Sequence, residues 1–250
     1  MIGAGNVSTH ISRHFHSAGH RINCIYSRSE ESARRLSGEL GVPGTADREQ
    51  IPREADFFIL CVPDRAVAEL TAQFRGYGGT WVHTAGSLSM ELFEGFFTQY
   101  GVLYPLQSLS RERRISKNRI PFLVEASSAP ALEKITDLAK SISDRVKVVD
   151  SPTRMKVHLA AVFANNFSNH MVHVAQQFME EAALDPRLLD DLLEETFHKL
   201  KEMDSCSAQT GPAKRGDRDT INKHIELLKD HPELQKLYTF ISRDIERSRE

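Results

Sequence analysis

In the first 150 residues, short apolar runs alternate with segments whose apolar positions recur at helical spacing. β-Branched and aromatic side chains dominate the runs at 22–26, 57–62, 80–83, 102–104, 120–125 and 146–149. Helical patterns occupy 7–18, 30–40, 65–74 and 131–142. Strands alternating with amphipathic helices over short connections predict an α/β protein with a doubly wound, mostly parallel sheet. The pattern changes at Ser151-Pro152, after which only helical periods are found, over about 153–181 and 186–203 and after Asp217 and Pro232. Pro152, Pro186 and Pro232 stand where helices begin, because the first turn does not use the missing N–H. The predicted organisation is an α/β domain over 1–150 and an all-helical domain over 151–250.

The composition, 40% hydrophobic and 26% charged over 250 residues, is that of a soluble protein able to form two domains. A formal charge of −2 provides no overall attraction for nucleic acid or a membrane surface. The basic run Arg111, Arg113, Arg114, Lys117 and Arg119 reads as a solvated loop. Cys24, Cys61 and Cys206 lack metal-ligand spacing, and so odd and sparse a set suits buried packing in a reducing compartment. No apolar stretch of about 18 residues predicts a membrane span, and the start does not read as a signal peptide. A cytoplasmic protein without metal, nucleic-acid or membrane partners is the expectation.

Candidate chemistry begins at Gly3-Ala4-Gly5-Asn6-Val7-Ser8. In a dinucleotide fold the first glycine turns the chain from strand to helix and the second lets the backbone approach a pyrophosphate. The third position needs a small residue, which Ser8 supplies. The amides that open the next helix then face the anion. A bare glycine turn is the alternative, but here the loop opens a helix and a strand follows. A Rossmann-type domain is therefore predicted, with Gly3, Ala4, Gly5, Asn6 and Val7 at the cofactor. The next strand ends Ile25-Tyr26-Ser27-Arg28-Ser29, with no acid before Glu30. A carboxylate there would bind the ribose hydroxyls of NAD, whereas Ser27 and Arg28 suit a 2′-phosphate, so NADP is the expected cofactor. Cys61-Val62-Pro63 and His83-Thr84-Ala85-Gly86-Ser87 close two further strands and should face the same crevice. Cys61, Val62, Pro63, Thr84, Ala85 and Gly86 are thus further candidate cofactor contacts. His83 is placed either for chemistry or for a structural hydrogen bond. Only Met1 and Ile2 precede Gly3, while such a sheet usually begins with about five strand residues. A largely missing first strand, from a truncated amino end, should leave its neighbours unpaired and the phosphate loop poorly anchored.

In the long helical segment, His158, Asn165, Asn169 and Gln176 fall in one stripe, with His173 beside them and Asn166 about a quarter-turn away. Apolar flanks predict a buried helix, whose amides would bond to other helices or line a pocket. Thr210-Gly211-Pro212 through Asp217 predicts an ordered loop, followed by a helix capped at Asp217 or Asp219. Arg215 in that loop would hold a substrate carboxylate or pair with Asp217.

Together these residues resemble the Rossmann-like proteins with a carboxy-terminal DUF2520 domain, described as NADP oxidoreductases. The resemblance covers essentially the whole chain. It rests on the glycine loop, His83 to Ser87, Tyr104-Pro105-Leu106-Gln107-Ser108, His158 to Phe163 with Asn166, and Thr210-Gly211-Pro212 with Arg215 and Asp217. It implies a helical domain similar to those of 6-phosphogluconate dehydrogenase-like enzymes and a homodimer formed through the helices. The wider superfamily is similar to pyrroline-carboxylate and ketopantoate reductases, which reduce small imines or ketoacids. Many members have His where this chain has Tyr104, so that position is not an obligatory histidine acid.

The expected function is hydride transfer between NADP(H) and a small carbonyl or imine, the protein supplying orientation and a proton. His158 or His83 is the candidate general acid, since an imidazole titrates in the right range. Asn166 would orient the substrate or the nicotinamide, and Arg215, Gln107 and Asn169 are candidate substrate contacts. The alternative is a non-catalytic NADP-binding sensor or dimeric interaction protein, because no lysine lies within the 158–176 stripe.

Overall fold

The computed structural model describes residues 1–116 and 119–248, so Lys117 of the basic run lies outside the described residues. Among the described residues seven strands form in chain order: β1 (Ile25–Tyr26), β2 (Gly44–Thr45), β3 (Phe57–Leu60), β4 (Thr80–His83), β5 (Gln99–Pro105), β6 (Phe122–Ala126) and β7 (Val146–Val148). They alternate with α1 (Asn6–Ser17), α2 (Glu30–Leu40), α3 (Asp64–Gln73) and α4 (Ala129–Lys140). β3, β4, β5, β6 and β7 lie side by side in that order. All these pairings are parallel except that of β5 with β6. β1 and β2 form a separate parallel pair, which the pattern of apolar runs had not revealed for β2.

The first strand is reduced to a bridge at Ile2, but it does not leave its neighbours unpaired. Ile2 pairs in parallel with Tyr26 of β1 and Leu60 of β3. Its N–H donates to Ile59 O at 2.8 Å and its carbonyl accepts from Cys61 at 2.7 Å. The Gly3 N–H donates to Tyr26 O at 2.7 Å. The phosphate loop is therefore anchored from both sides, contrary to expectation, because the last residues before a turn suffice to set its register. Beside Met1 lies a cavity of 370 Å³, lined by Asn23, Cys24, Phe57 and Ile59 among others.

Both faces of the sheet are covered, which is why its strands read as continuous apolar runs rather than alternating ones. On one face Ile11 and Phe15 of α1 and Ile135 and Leu138 of α4 pack on Ile59, Val82, Leu103, Phe122 and Val124. On the other, Val67 and Leu70 of α3 and the adjacent Phe74 pack on Phe58 and Trp81. The Trp81 ring is stacked between Phe58 and Phe97, with centroids 4.4 and 4.2 Å away. Each such buried side chain stabilises the fold by about 1.5–3 kcal/mol relative to exposure. Local signals fix the helix ends: Ser29 and Ser128 accept the Ser32 and Ala131 N–H groups, and Gly41 leaves α2 at φ 65°.

After β7, Asp150 accepts the Thr153 N–H and opens α5 (Ser151–Ala161), with Pro152 in its first turn. A π-helical segment, Val162–Phe167, follows and runs into α6 (Ser168–Glu181). α5 is tied to the sheet by Arg154, a fully buried residue. Its guanidinium bonds to the Glu125 carboxylate of β6 and to the Leu88 carbonyl, and reaches Ser151 Oγ at 3.0 Å. Glu125 also accepts from the Ser151 N–H at 2.8 Å. The prediction of a buried helix is corrected here: α6 contains no buried residue, and Leu159 and Phe163 are 56% and 61% exposed. Val157 of α5 packs against the cluster of Val102, Tyr104 and Leu123 on the sheet.

The chain divides into two compact units, Met1–His170 and Met171–Glu250. Beyond the end of α6 the second holds α7 (Asp190–Glu202), α8 (Ser205–Ala208), α9 (Pro212–Arg215), α10 (Arg218–Leu227) and α11 (Pro232–Arg247). Asp217 is the cap of α10, accepting from Thr220 N and Oγ1 at 3.1 and 2.8 Å. Cys24 and Cys61 are buried, whereas Cys206 is exposed on the short α8, where a single helical turn has no room to bury it. Among the described residues no helix is long and apolar enough to cross a membrane.

Candidate functional site

Two cavities open at the carboxyl ends of the strands, and all of their lining residues belong to the first unit. The first, of 440 Å³, is lined by Gly3, Ala4, Gly5 and Asn6, by Tyr26 to Ser29, and by Cys61, Val62 and Pro63, among others. Gly3 has φ +108°, and a Cβ there would meet Cys61 O at 2.2 Å, so only glycine makes this turn. At Gly5 a Cβ would meet nothing within 4 Å; the space above it is open. Gly5 is the cap of α1 and provides no side-chain acceptor, so the first amides of α1 have no partner within the helix. Arg35 of α2 holds the loop from behind, its Nη2 donating to Ala4 O at 3.0 Å. Ser8 is completely buried, as the third small position requires.

These features fit the phosphates of a dinucleotide: an open glycine, free helix amides and cations, with no carboxylate in the lining. Burial pushes the Cys61 thiol up to about 12, so it stays neutral beneath the cavity.

The second cavity, of 690 Å³, is lined from the sheet side by Thr84, Tyr104 and Gln107 and from the helix by Val157, His158, Asn165 and Asn166, among others. Asn6 lines both cavities, and Val7 the second. Tyr104 Oη and His158 Nδ1 are 3.1 Å apart. Burial, reinforced by the Asp64 carboxylate and opposed by Arg154, raises the Tyr104 phenol above its ordinary range and keeps it protonated. Gly86 makes room for this pair, since a Cβ there would meet His158 Nδ1 at 2.7 Å and Tyr104 Cζ at 2.9 Å. The π turn brings Asn165 and Asn166 to the same cavity, by widening the helix where the ideal stripe would separate them.

The structure thus brings Gly3, Ala4, Gly5, Asn6, Ser27, Arg28, Cys61, Val62 and Pro63 together at one cavity. Val7, Thr84, Gln107, His158 and Asn166 meet at the other. Gln107 holds its own loop, its Nε2 donating to Arg119 O at 2.7 Å and its Oε1 accepting from Ser108 N–H at 2.9 Å. His83 lines neither cavity. It is buried, accepts the Ala85 N–H at Nδ1, and burial lowers its pKa to about 3, so it remains neutral and holds the strand-end turn. Ala85 is itself buried beside it. Asn169 is exposed on α6 and lines neither cavity. Arg215 is exposed at the end of α9, within the second unit. Arg111 is exposed, as a solvated loop requires, but it also lines the first cavity, which the sequence reading missed together with the pairing of Tyr104 with His158. Helical spacing shows neither, because both depend on the path of the chain after β5.

The model of the family described as "Domain of unknown function (DUF2520)" matches residues 120–245. Residues 1–80 match a family model described as "NADP oxidoreductase coenzyme F420-dependent". A solved Bacteroides fragilis protein, provisionally named an NADP oxidoreductase, is 38% identical with a TM-score of 0.94, covering 98% of this chain and 96% of its own. A Thermotoga maritima protein is 26% identical with a TM-score of 0.73, covering 99% of this chain and 96% of its own. A pyrroline-5-carboxylate reductase from Coxiella burnetii shares the fold at 16% identity and a TM-score of 0.59, covering 99% and 95% of the two chains. No curated protein matches the sequence.

Proposed function

Because the chain belongs to the DUF2520 family of Rossmann-type proteins, we propose that it is an NADP-dependent oxidoreductase acting on a small carbonyl or imine. The observation that carries this reading is Asn6, which lines both the phosphate-loop cavity and the cavity holding Tyr104 and His158. A dinucleotide seated by its phosphates at Gly3 to Asn6 then has next to it a largely apolar chamber carrying a few polar groups, Tyr104, His158, Asn165 and Asn166 among them. When bound, the cofactor supplies or takes up the hydride.

The chain's own residues bind, orient and move a proton. Ser27 and Arg28 hold a 2′-phosphate at the end of β1, where an NAD enzyme would place an acid. With the neutral phenol of Tyr104 donating to Nδ1, the proton of the His158 ring stands on Nε2. As hydride reaches carbon, Nε2 gives this proton to the substrate oxygen or nitrogen while Nδ1 takes the Tyr104 phenolic proton, so the ring stays neutral and the phenolate recovers a proton from solvent. Asn165 and Asn166 orient the substrate by their amides, and the apolar walls Val157 and Leu106 exclude water from the reacting bond. His83, neutral and buried, acts only through the turn it braces.

A second copy of this chain covers the exposed apolar side chains Met155, Leu159, Phe163 and Phe167, of the kind that marks an interaction surface. The reading places the protein in a reducing cytoplasm, in keeping with its free thiols.

The test is calorimetry with NADPH and NADH, followed by NADPH oxidation against a panel of small ketoacids and cyclic imines. Selective NADPH binding with turnover of one class supports the reading; absence of binding by both cofactors overturns it. NADPH binding without turnover across the panel favours a sensor, the reading suggested by a cavity whose titratable lining groups, among the described residues, are Tyr104 and His158.

A further inference from the structure

We propose that Arg111 grips the pyrophosphate of the dinucleotide, while Arg28 alone reads the 2′-phosphate; this rests on the NADP reading above. The segment after β5 does not hang free. His10 Nε2 lies 2.9 Å from Ser110 O, and Arg13 Nη1 donates to Arg111 O at 3.1 Å. Arg13 is itself fixed by Glu39, at 2.6 and 3.0 Å. Asn6, His10 and Arg13 lie on one face of α1, so this face carries the loop and presents Arg111 beside the first turn of the helix. There its side chain lines the same cavity as Gly5 and Asn6.

The charges are arranged accordingly. Other arginines around this cavity are committed: Arg13 to Glu39, Arg34 to Glu30 and Arg35 to Ala4 O. Among the described residues, the guanidinium groups of Arg28 and Arg111 have no hydrogen-bond or ion-pair partner. Both line the cavity, and no carboxylate does. Two unpaired cations on one cavity match the two anionic sites of the cofactor, its pyrophosphate and its 2′-phosphate. Arg28 follows β1, at the ribose side, whereas Arg111 stands against α1, whose amides take the pyrophosphate. A planar guanidinium there forms forked bonds to phosphate oxygens that a lysine does not reproduce.

The experiment is calorimetric titration of NADPH, NADH and 2′-AMP into the parent protein and its Arg111→Ala, Arg111→Lys and Arg28→Ala variants. Arg111→Ala should weaken NADPH and NADH by the same factor, about tenfold or more, and leave 2′-AMP unchanged. Arg111→Lys should fall between the two. Arg28→Ala should weaken NADPH and 2′-AMP and spare NADH. Arg111 is exposed, so thermal melting of the variant should match the parent. Unaltered dinucleotide affinity in Arg111→Ala overturns the proposal, as does a loss confined to NADPH and 2′-AMP. If the parent binds neither dinucleotide, the NADP reading itself fails; if it binds NADPH and only Arg111→Ala is silent, that reading stands and this one falls.

Discussion

The Tyr104 hydroxyl lies 3.1 Å from Nδ1 of His158, joining the end of β5 to α5 across 54 residues of sequence. In the proposed mechanism the phenol donates to Nδ1 and leaves the ring proton on Nε2. Tyr104→Phe should leave folding intact and alter the ¹⁵N shifts of the His158 ring from a single tautomer to a mixture. An unchanged tautomer in the variant would count against the assignment. His158→Ala should slow turnover by about a hundredfold or more while NADPH affinity is retained.

Gly86 is the spacer that lets this pair form. Gly86→Ala places a methyl group 2.7 Å from His158 Nδ1, closer than Cβ atoms are found, so the ring must shift. The expected outcome is loss of turnover at near-parental NADPH affinity, measured by steady-state kinetics beside calorimetry. Equal losses of both would show that the methyl group disturbs the phosphate cavity as well.

Gly3→Ala acts on the other cavity. It combines a left-handed φ of +108° with a clash against Cys61 O at 2.2 Å. Chemical denaturation should show a loss of about 1–3 kcal/mol, together with weakened dinucleotide binding. A variant as stable as the parent would mean the turn relaxes at no cost.

Glu125→Ala strips the partner from Arg154, leaving a buried guanidinium without its carboxylate. Removing one member of a buried pair costs about 3–5 kcal/mol, so a large drop in the denaturation midpoint is expected. A change within about 0.5 kcal/mol would mean that the Leu88 carbonyl and Ser151 suffice to hold Arg154.

His83 makes stability depend on pH. Burial depresses its pKa from 6.5 to about 3 in the folded protein. Between those values the unfolded chain binds a proton that the native state refuses. Stability from this group is therefore complete above pH 6.5 and declines as the pH falls toward 3, by up to about 1.4 kcal/mol per pH unit. Denaturant midpoints of His83→Asn should fall less steeply than the parent's across that window. Parallel slopes would show that His83 is already accessible to protons.

Much of this molecule was determined by local sequence. The apolar runs at 57–62 and 80–83 contain β3 and β4, the spacing over 30–40 matches α2, and prolines 152, 186 and 232 stand in the first turns of helices. Gly3 and Gly5 marked the phosphate loop, because a left-handed turn and an open backbone are demands that residue type alone expresses. Nearest-neighbour pattern also made Arg28 a phosphate candidate. Only the tertiary structure decided the rest. β6 runs antiparallel to β5, and two residues, Gly44 and Thr45, form a strand through partners that no window contains. Ile2 anchors the phosphate loop through bridges to Tyr26 and Leu60, partners far away in sequence. The π turn shifted the phase of the polar stripe, so Asn166 faces the cavity and Asn169 does not. His83 and His158 look alike in sequence; burial made one a neutral brace, whereas the other lines a cavity. Proton affinity and contact across the fold depend on surroundings assembled from distant residues, and those exist only once the chain is folded.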